Sequence, residues 1–269
     1  MKFAIQQNLM NHEQLLRVAE AVKPYPTVWL GLIPFSREIT NDEPLVGKDY
    51  IPYGSTLLTN LVSELGWTGL HFDLEHLNWE CWVKNHPSML NSPKNTRVLS
   101  AEGAIEYLNE VVGAPESEFF MRPSHDLKHF AGYVGSATEL RDHLQSMVDS
   151  YRRGEYGTYP MRPDTPIVLA APQRILAEWR WFIVEGKIVS GSMYRAHGQL
   201  RKLRETDSAV IDEAQALADH WLPMDCVVMD TALTEEGVSI VEFNTINSSG
   251  FYDHDVEAVF RALWRYHET

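Results

Sequence analysis

The 269 residues are 44% hydrophobic and 22% charged, an ordinary balance for a chain that buries a core, and the length suits one large domain or two modest ones. Lys and Arg number 23 against 37 Asp and Glu, and the net charge of −14 excludes a broad nonspecific grip on nucleic acid or anionic membrane while leaving room for a few local cations around a small anionic ligand. Cys81 and Cys226 lie far apart without CxxC spacing, which argues against a disulfide framework or a structural zinc site. No apolar window reaches membrane-span length and "MKFAIQQNLMNHEQ" lacks a signal-peptide pattern, so the expectation is a cytoplasmic protein with no export and no membrane partner.

In chain order, "KFAIQQ" predicts a strand and "NHEQLLRVAEAV" a helix with Asn11 as N-cap and Gln14 at the capping-box position. "TVWLGLI" predicts a second strand, "STLLTNLVSELG" a helix ending at Gly66, and "TGLHFDL" a third strand, a βαβ-type rhythm. From Leu77 to Ser100 the pattern is irregular and predicts a linker or crossing loop. Then follow the helix "SAEGAIEYLNEVVG", the strand "EFFMRPS", and a helix from Ser136, which forms a capping-box pair with Glu139. "PIVLAAPQRILAEWRWFIVEGKIVSGSMYR" predicts successive strands turning at Glu185-Gly186, "SAVIDEAQALADHW" a helix, "DCVVMDTALTEEGVSIVEFNTI" a hairpin, and "DHDVEAVFRALWRYHE" a terminal amphipathic helix.

The hairpin carries the first chemical signal. A turn centred on Glu236, with Gly237 at positive φ, sets Asp230 opposite Glu242, and period two puts Asn244 beside Glu242 while Val241 and Phe243 point into the core. Facing carboxylates destabilise a sheet unless a cation lies between them, and carboxylate and amide oxygens are the hard donors that Mg²⁺ prefers. The competing readings are a strand that ends early with Glu242 solvated, or a one-residue bulge that removes the facing pair.

Cations upstream supply the second signal. Arg122, Arg180 and Arg195 stand in apolar strand contexts where a charge is costly, and Lys128 follows Arg122 through "PSHDLK", a loop able to fold over a phosphate. On "LAEWRWFIV", Glu178, Arg180 and Phe182 share one face and Trp179, Trp181 and Ile183 the other. P-loop, GxGxxG and GxSxG motifs are absent. His125 and His129, one helical turn apart, lack the Glu of HExxH, and His71, Asp73 and Glu75 alternate as a polar face.

The order Arg122, Lys128, Glu178, Arg180, Arg195, Asp230, Glu242, Asn244 resembles the ATP-grasp superfamily. It is most similar to the divergent clade with an arginine in place of the first phosphate-binding lysine, which includes phage and bacterial proteins and the eukaryotic assembly factor of translation initiation factor two. The likeness runs from about Glu118 onward, and "VEFN" is close to the family's E-x-N signature. It implies an α+β (α/β) ATP-grasp fold. Residues 1–95 would be a pre-ATP-grasp βαβ-like domain and 96–269 the ATP-grasp domain, with a lid subdomain at about 100–172 and a metal-binding one at about 173–269. Arg122 and Lys128 would hold the α- and β-phosphates, Ala170 and Pro172 in "VLAAP" would meet adenine, and Glu178 would lie near the ribose. Arg180 and Arg195 would face the γ-phosphate as catalytic cations, and Asp230, Glu242 and Asn244 would bind Mg²⁺ or Mn²⁺. The missing glycine-rich lid and the Arg at 122 depart from the usual pattern, since Arg does not substitute for Lys geometrically.

The activity implied is ATP-dependent joining of a carboxylate to an amine through an acylphosphate. The substrates are not readable from the sequence, with proteins and peptides among the candidates, and neither is the oligomeric state. A nucleotide-dependent assembly protein and a kinase are the alternatives on the same site. Asn247, Ser248 and Ser249, directly after the metal strand, are the expected substrate loop, against the alternative of a plain turn.

Overall fold

The computed structural model describes residues 1–8, 11–33, 36, 38–41, 44–112, 118–127, 129–155 and 160–268. It divides into two compact units, Met1–Leu77 with Ile175–Thr269, and Asn78–Arg174. Helices and sheets are mixed throughout, an α+β architecture.

The first unit begins with β1 (Lys2–Gln6), α1 (His12–Val22), β2 (Thr27–Leu32), β3 (Ile39–Thr40), β4 (Tyr50–Tyr53) and α2 (Thr56–Leu65). The sheet order is β3-β2-β1-β4, with β1 parallel to both β2 and β4. Phe3, Ala4, Ile5 and Gln6 are all fully buried, as a central parallel strand covered on both faces requires. Asn11 and Ser55 cap the two helices by accepting the backbone N–H groups of Gln14 and Leu58, and Gly66 closes α2 in the left-handed conformation.

The strand expected at "TGLHFDL" does not form; the strand parallel to β1 on its other side is β4, "YIPY". Pro52 hides this strand from a sequence reading, yet it is tolerated because β4 lies at the sheet edge.

The second unit contains α3 (Trp79–Asn85), β5 (Thr96–Ser100), α4 (Ala101–Val111), β6 (Glu118–Pro123), β7 (Tyr133–Ser136), α5 (Ala137–Arg152) and β8 (Pro166–Ala170). The expected linker before Ser100 therefore holds a helix and a strand. The antiparallel sheet runs β5-β8-β6-β7, and Met121, Ile167 and Leu169 pack with Ala104 and Leu108 of α4 and Leu140 and Leu144 of α5. Ser136 and Glu139 make the reciprocal capping box that the sequence predicts.

The chain then completes the first unit with β9 (Ala177–Val184), β10 (Lys187–Ala196), β11 (Gln199–Arg204), α6 (Ser208–His220), β12 (Val227–Thr234), β13 (Gly237–Asn244) and α7 (Val256–Glu268). The five strands are antiparallel in the order β11-β10-β9-β12-β13. Phe182 and Val228 join Phe3 and Ile5 of β1, Val18 of α1 and Phe260 and Leu263 of α7 in one core, which fixes one face of the five-stranded sheet. On the other face Trp181 is buried, its indole N–H donating to Thr231 Oγ1 at 2.9 Å. A Cβ at Gly191, opposite Trp181, would stand 2.2 Å from the indole ring, so the facing position has to be glycine.

Residues 68–71 find their backbone partners outside a sheet: Thr68 N–H donates to the Lys48 carbonyl. Gly69 N–H donates to the Tyr50 carbonyl and His71 N–H to Asn247 Oδ1, and the Thr245 hydroxyl donates to the His71 carbonyl. Contacts to β4 and to the loop after β13 satisfy this backbone in place of a strand partner.

Candidate functional site

The β12–β13 turn lies one register step from the expected one: Thr234 pairs with Gly237, and Glu235 and Glu236 form the loop. Left uncorrected, that shift would separate the two carboxylates. A bulge at Val241 restores the register, so that Thr231 pairs with Ile240 but Asp230 with Glu242. Both the shifted turn and the bulge depart from expectation, and they cancel at the position that matters. The bulge leaves Val241 only half-buried, against expectation, and Ile240 joins Phe243 among the fully buried residues in its place.

Asp230 has a second cross-strand partner, Arg180 on β9. The guanidinium grips the carboxylate twice, Nε to Oδ1 at 2.8 Å and Nη2 to Oδ2 at 2.7 Å, with the side chains 13% and 3% exposed. Arg180 Nη1 also donates to the Gly250 carbonyl at 3.3 Å, and the guanidinium carbon lies 5.1 Å from the Tyr252 ring centroid and 5.9 Å from that of Tyr194. Burial opposes the Arg180 charge, but the Asp230 carboxylate outweighs it and holds the guanidinium above its ordinary pKa. His254 anchors the same strand through Nε2 at the Arg180 carbonyl, 3.1 Å, and burial lowers its pKa to about 3.

Asn244 completes the group. Its Nδ2 reaches Glu242 Oε1 at 3.2 Å and Asp230 Oδ2 at 3.5 Å. The amide thus bridges two facing carboxylates with its positive end, the position a cation between them would take. Turning the amide about its last torsion would present Oδ1 in place of Nδ2. Two carboxylates and one amide oxygen are a donor set that fits Mg²⁺.

Glu178 and Arg195 pair across β9 and β10. Glu178 is buried, accepts the Tyr194 hydroxyl at 3.1 Å, and has Arg195 Nη1 3.3 Å from Oε2 without a well-aligned hydrogen bond to that oxygen. Burial raises the Glu178 pKa, and Arg195 only partly offsets it. Arg195 itself is half-exposed and free to turn outward. Tyr194 and Tyr252 stack at 4.8 Å and 17°, flanking Arg180. No sequence signal marks these tyrosines, because one sits at a strand irregularity and the other in a loop.

The loop after β13 divides in two. The buried Asn247 amide is held by three hydrogen bonds: Oδ1 accepts from His71 N–H, and Nδ2 donates to the carbonyls of Pro52 and Gly69. Ser249 is also buried, its hydroxyl donating to the Thr245 carbonyl and its own carbonyl accepting the Tyr53 hydroxyl. Of the three expected substrate residues, Ser248 alone is half-buried rather than buried.

In the other unit, Arg122 Nε donates to the Pro123 carbonyl and its guanidinium lies 5.1 Å from the Trp82 ring centroid. Ala170 and Pro172 line a cavity of about 760 Å³ together with Lys94, Arg97, Tyr107 and Glu118. Lys128 lies outside the described residues. His125 and His129 do not share a helix face, because residues 124–127, 129 and 130 are not helical, and no group of three or more His, Cys, Asp and Glu among the described residues could hold a metal. No helix among the described residues is long and apolar enough to cross a membrane.

Solved structures share the fold at low identity. D-cycloserine synthetase DcsG is 11% identical, with 99% of this chain and 100% of that one covered at a TM-score of 0.58. The VanG D-Ala:D-Ser ligase of Enterococcus faecalis is 12% identical over 99% of each chain at 0.57. D-alanyl-alanine synthetase A from Vibrio cholerae O1 biovar eltor is 11% identical over 100% and 99% at 0.56. No curated protein sequence is significantly similar. Residues 64–263, which include Arg122, Arg180, Asp230, Glu242 and Asn244, match the ATP-grasp domain of R2K clade family 3, and the chain belongs to that family.

Proposed function

We propose that this protein is an ATP- and Mg²⁺-dependent ligase that joins a carboxylate to an amine through an acylphosphate. The observation that carries the reading is the cluster Arg180, Asp230, Glu242 and Asn244, assembled on adjacent strands of an ATP-grasp chain by a compensated register. Three fold neighbours are named for synthetase or ligase activity, which supports the same class.

Asp230, Glu242 and Asn244 would hold the metal, whose chemistry is to neutralise phosphate charge and orient the transferring phosphoryl group. Arg180, fixed on Asp230 by two hydrogen bonds, keeps that carboxylate aimed. Arg195 is the better candidate for a phosphate contact, because its exposed guanidinium can leave Glu178 at small cost. Glu178 then supplies an acceptor to the nucleotide through its unsatisfied oxygen. Arg122 and the backbone at Ala170 and Pro172 are our further nucleotide contacts. Ser248, next to the metal strand, is the substrate contact, while Asn247 holds the loop.

ATP with Mg²⁺ should raise the melting temperature of the wild type, and Glu242→Gln should abolish most of the rise. Pools of carboxylates and amines should then yield ADP together with a product lighter by one water than its parts. Absence of any ATP–Mg²⁺ shift refutes the nucleotide assignment. ADP release without a joined product refutes the ligase assignment in favour of a kinase or an assembly ATPase.

A further inference from the structure

The stretch "RAHGQLRKLR", residues 195–204, holds Arg195, Arg201, Lys202 and Arg204 and no acidic residue, in a chain of net charge −14. Its last six residues form β11, an edge of the five-stranded sheet, and all six are exposed. Leu200 and Leu203 are 68% and 49% exposed, unusual for large apolar side chains on a strand.

The register explains what each cation does. Met193 pairs with Leu203 and Arg195 with Leu200, so Arg201 and Lys202 together oppose Tyr194 and bulge from the ladder. Arg204 is tied inward, its N–H donating to Asp253 Oδ2 and its Nη2 to the His254 carbonyl. The side chains of Arg201 and Lys202 have no hydrogen-bond or ion-pair partner among the described residues.

An edge strand presents an outer row of N–H and C=O groups to any extended chain that can lie beside it. We propose that β11 docks an extended acidic segment of a peptide or protein substrate, a refinement that rests on the ligase reading above. Charge selects this occupant. A second copy pairing edge to edge would set the Arg201–Lys202 bulge against like charge, whereas alternating acidic and apolar side chains would match the cations and the leucines. Nucleic acid fits poorly, since 195–204 offers no Phe, Tyr or Trp for bases to stack on. Position selects a substrate. Leu200 pairs with Arg195, and Arg195 pairs with Glu178 in the candidate site, so one end of β11 lies beside that site.

The test is fluorescence anisotropy with fluorescein-labelled acetyl-(Glu-Val)4-amide, its (Lys-Val)4 counterpart and an oligothymidylate of eight nucleotides, at low and high NaCl. The acidic peptide alone should bind, more weakly at high salt, and the double variant Arg201→Glu/Lys202→Glu should lose at least tenfold in affinity at unchanged melting temperature. Hydrogen exchange with the acidic peptide should show protection at 199–204. Failure of the acidic peptide to bind, equal binding by the double variant, or equal binding of the oligonucleotide each overturn the proposal. The ATP–Mg²⁺ melting shift, measured on wild type and on the double variant, separates the two readings: if wild type shifts and the peptide fails, only the docking edge falls; if the peptide docks and wild type shows no shift, the ligase reading falls.

Discussion

Arg180 and Asp230 face each other across β9 and β12 and are joined by two parallel hydrogen bonds of 2.8 and 2.7 Å, nearly out of water. A pair this buried is costly to break from one side and cheap to replace as a whole. Arg180→Met should therefore destabilise the protein by about 3–5 kcal/mol, and Asp230→Leu by a similar amount. The double variant should recover most of that loss in urea unfolding while losing the ATP–Mg²⁺ melting shift. Simple additivity of the two losses would mean the pair is not coupled.

Asn247 and Ser248 are adjacent but should behave oppositely. Asn247→Ala takes their side-chain partner from the Pro52 and Gly69 carbonyls and the His71 N–H, three groups at about 1–3 kcal/mol each, and should cost at least about 3 kcal/mol. Ser248→Ala should leave stability within about 0.5 kcal/mol and change substrate KM once a substrate is in hand. Thermal unfolding of both variants checks the first contrast.

His254 gives the protein an acid-sensitive step. Its native pKa of about 3 lies below the ordinary value near 6.5, so the unfolded chain binds the proton more readily than the native one. Its contribution to stability is complete above about pH 6.5, falls with decreasing pH by up to about 1.4 kcal/mol per unit, and is lost once pH passes the native value near 3. His71, lowered to about 4 by burial and by His267, adds to the same slope. Urea midpoints between pH 7.5 and 5 should drop for wild type and drop less for His254→Gln.

Gly191 has no room for a methyl group. Gly191→Ala drives a Cβ into Trp181, whose ring is held by its bond to Thr231, and should cost roughly 3 kcal/mol by overpacking. A matching loss of Trp181 near-ultraviolet dichroism would locate the damage; an unchanged spectrum and melting point would contradict the geometry.

Sequence by itself determined the elements whose signals are local. The caps at Asn11 and Ser136 act within four residues, and the alternation in "LAEWRWFIV" places Arg180 with Phe182 because successive side chains leave a strand on opposite faces. The E-x-N spacing likewise put Glu242 and Asn244 side by side. Tertiary structure decided everything that depends on which strand lies next to which. The Arg180–Asp230 grip joins residues 50 apart in sequence because β9 lies between β10 and β12, an order no local periodicity encodes. Pro52 sits in a real strand because that strand is an edge, and Asn247 serves as scaffold because two distant carbonyls reach it. The facing pair of Asp230 and Glu242 belongs to both levels: spacing suggested it, but only a bulge at Val241, compensating a turn one register step away, brings the carboxylates together.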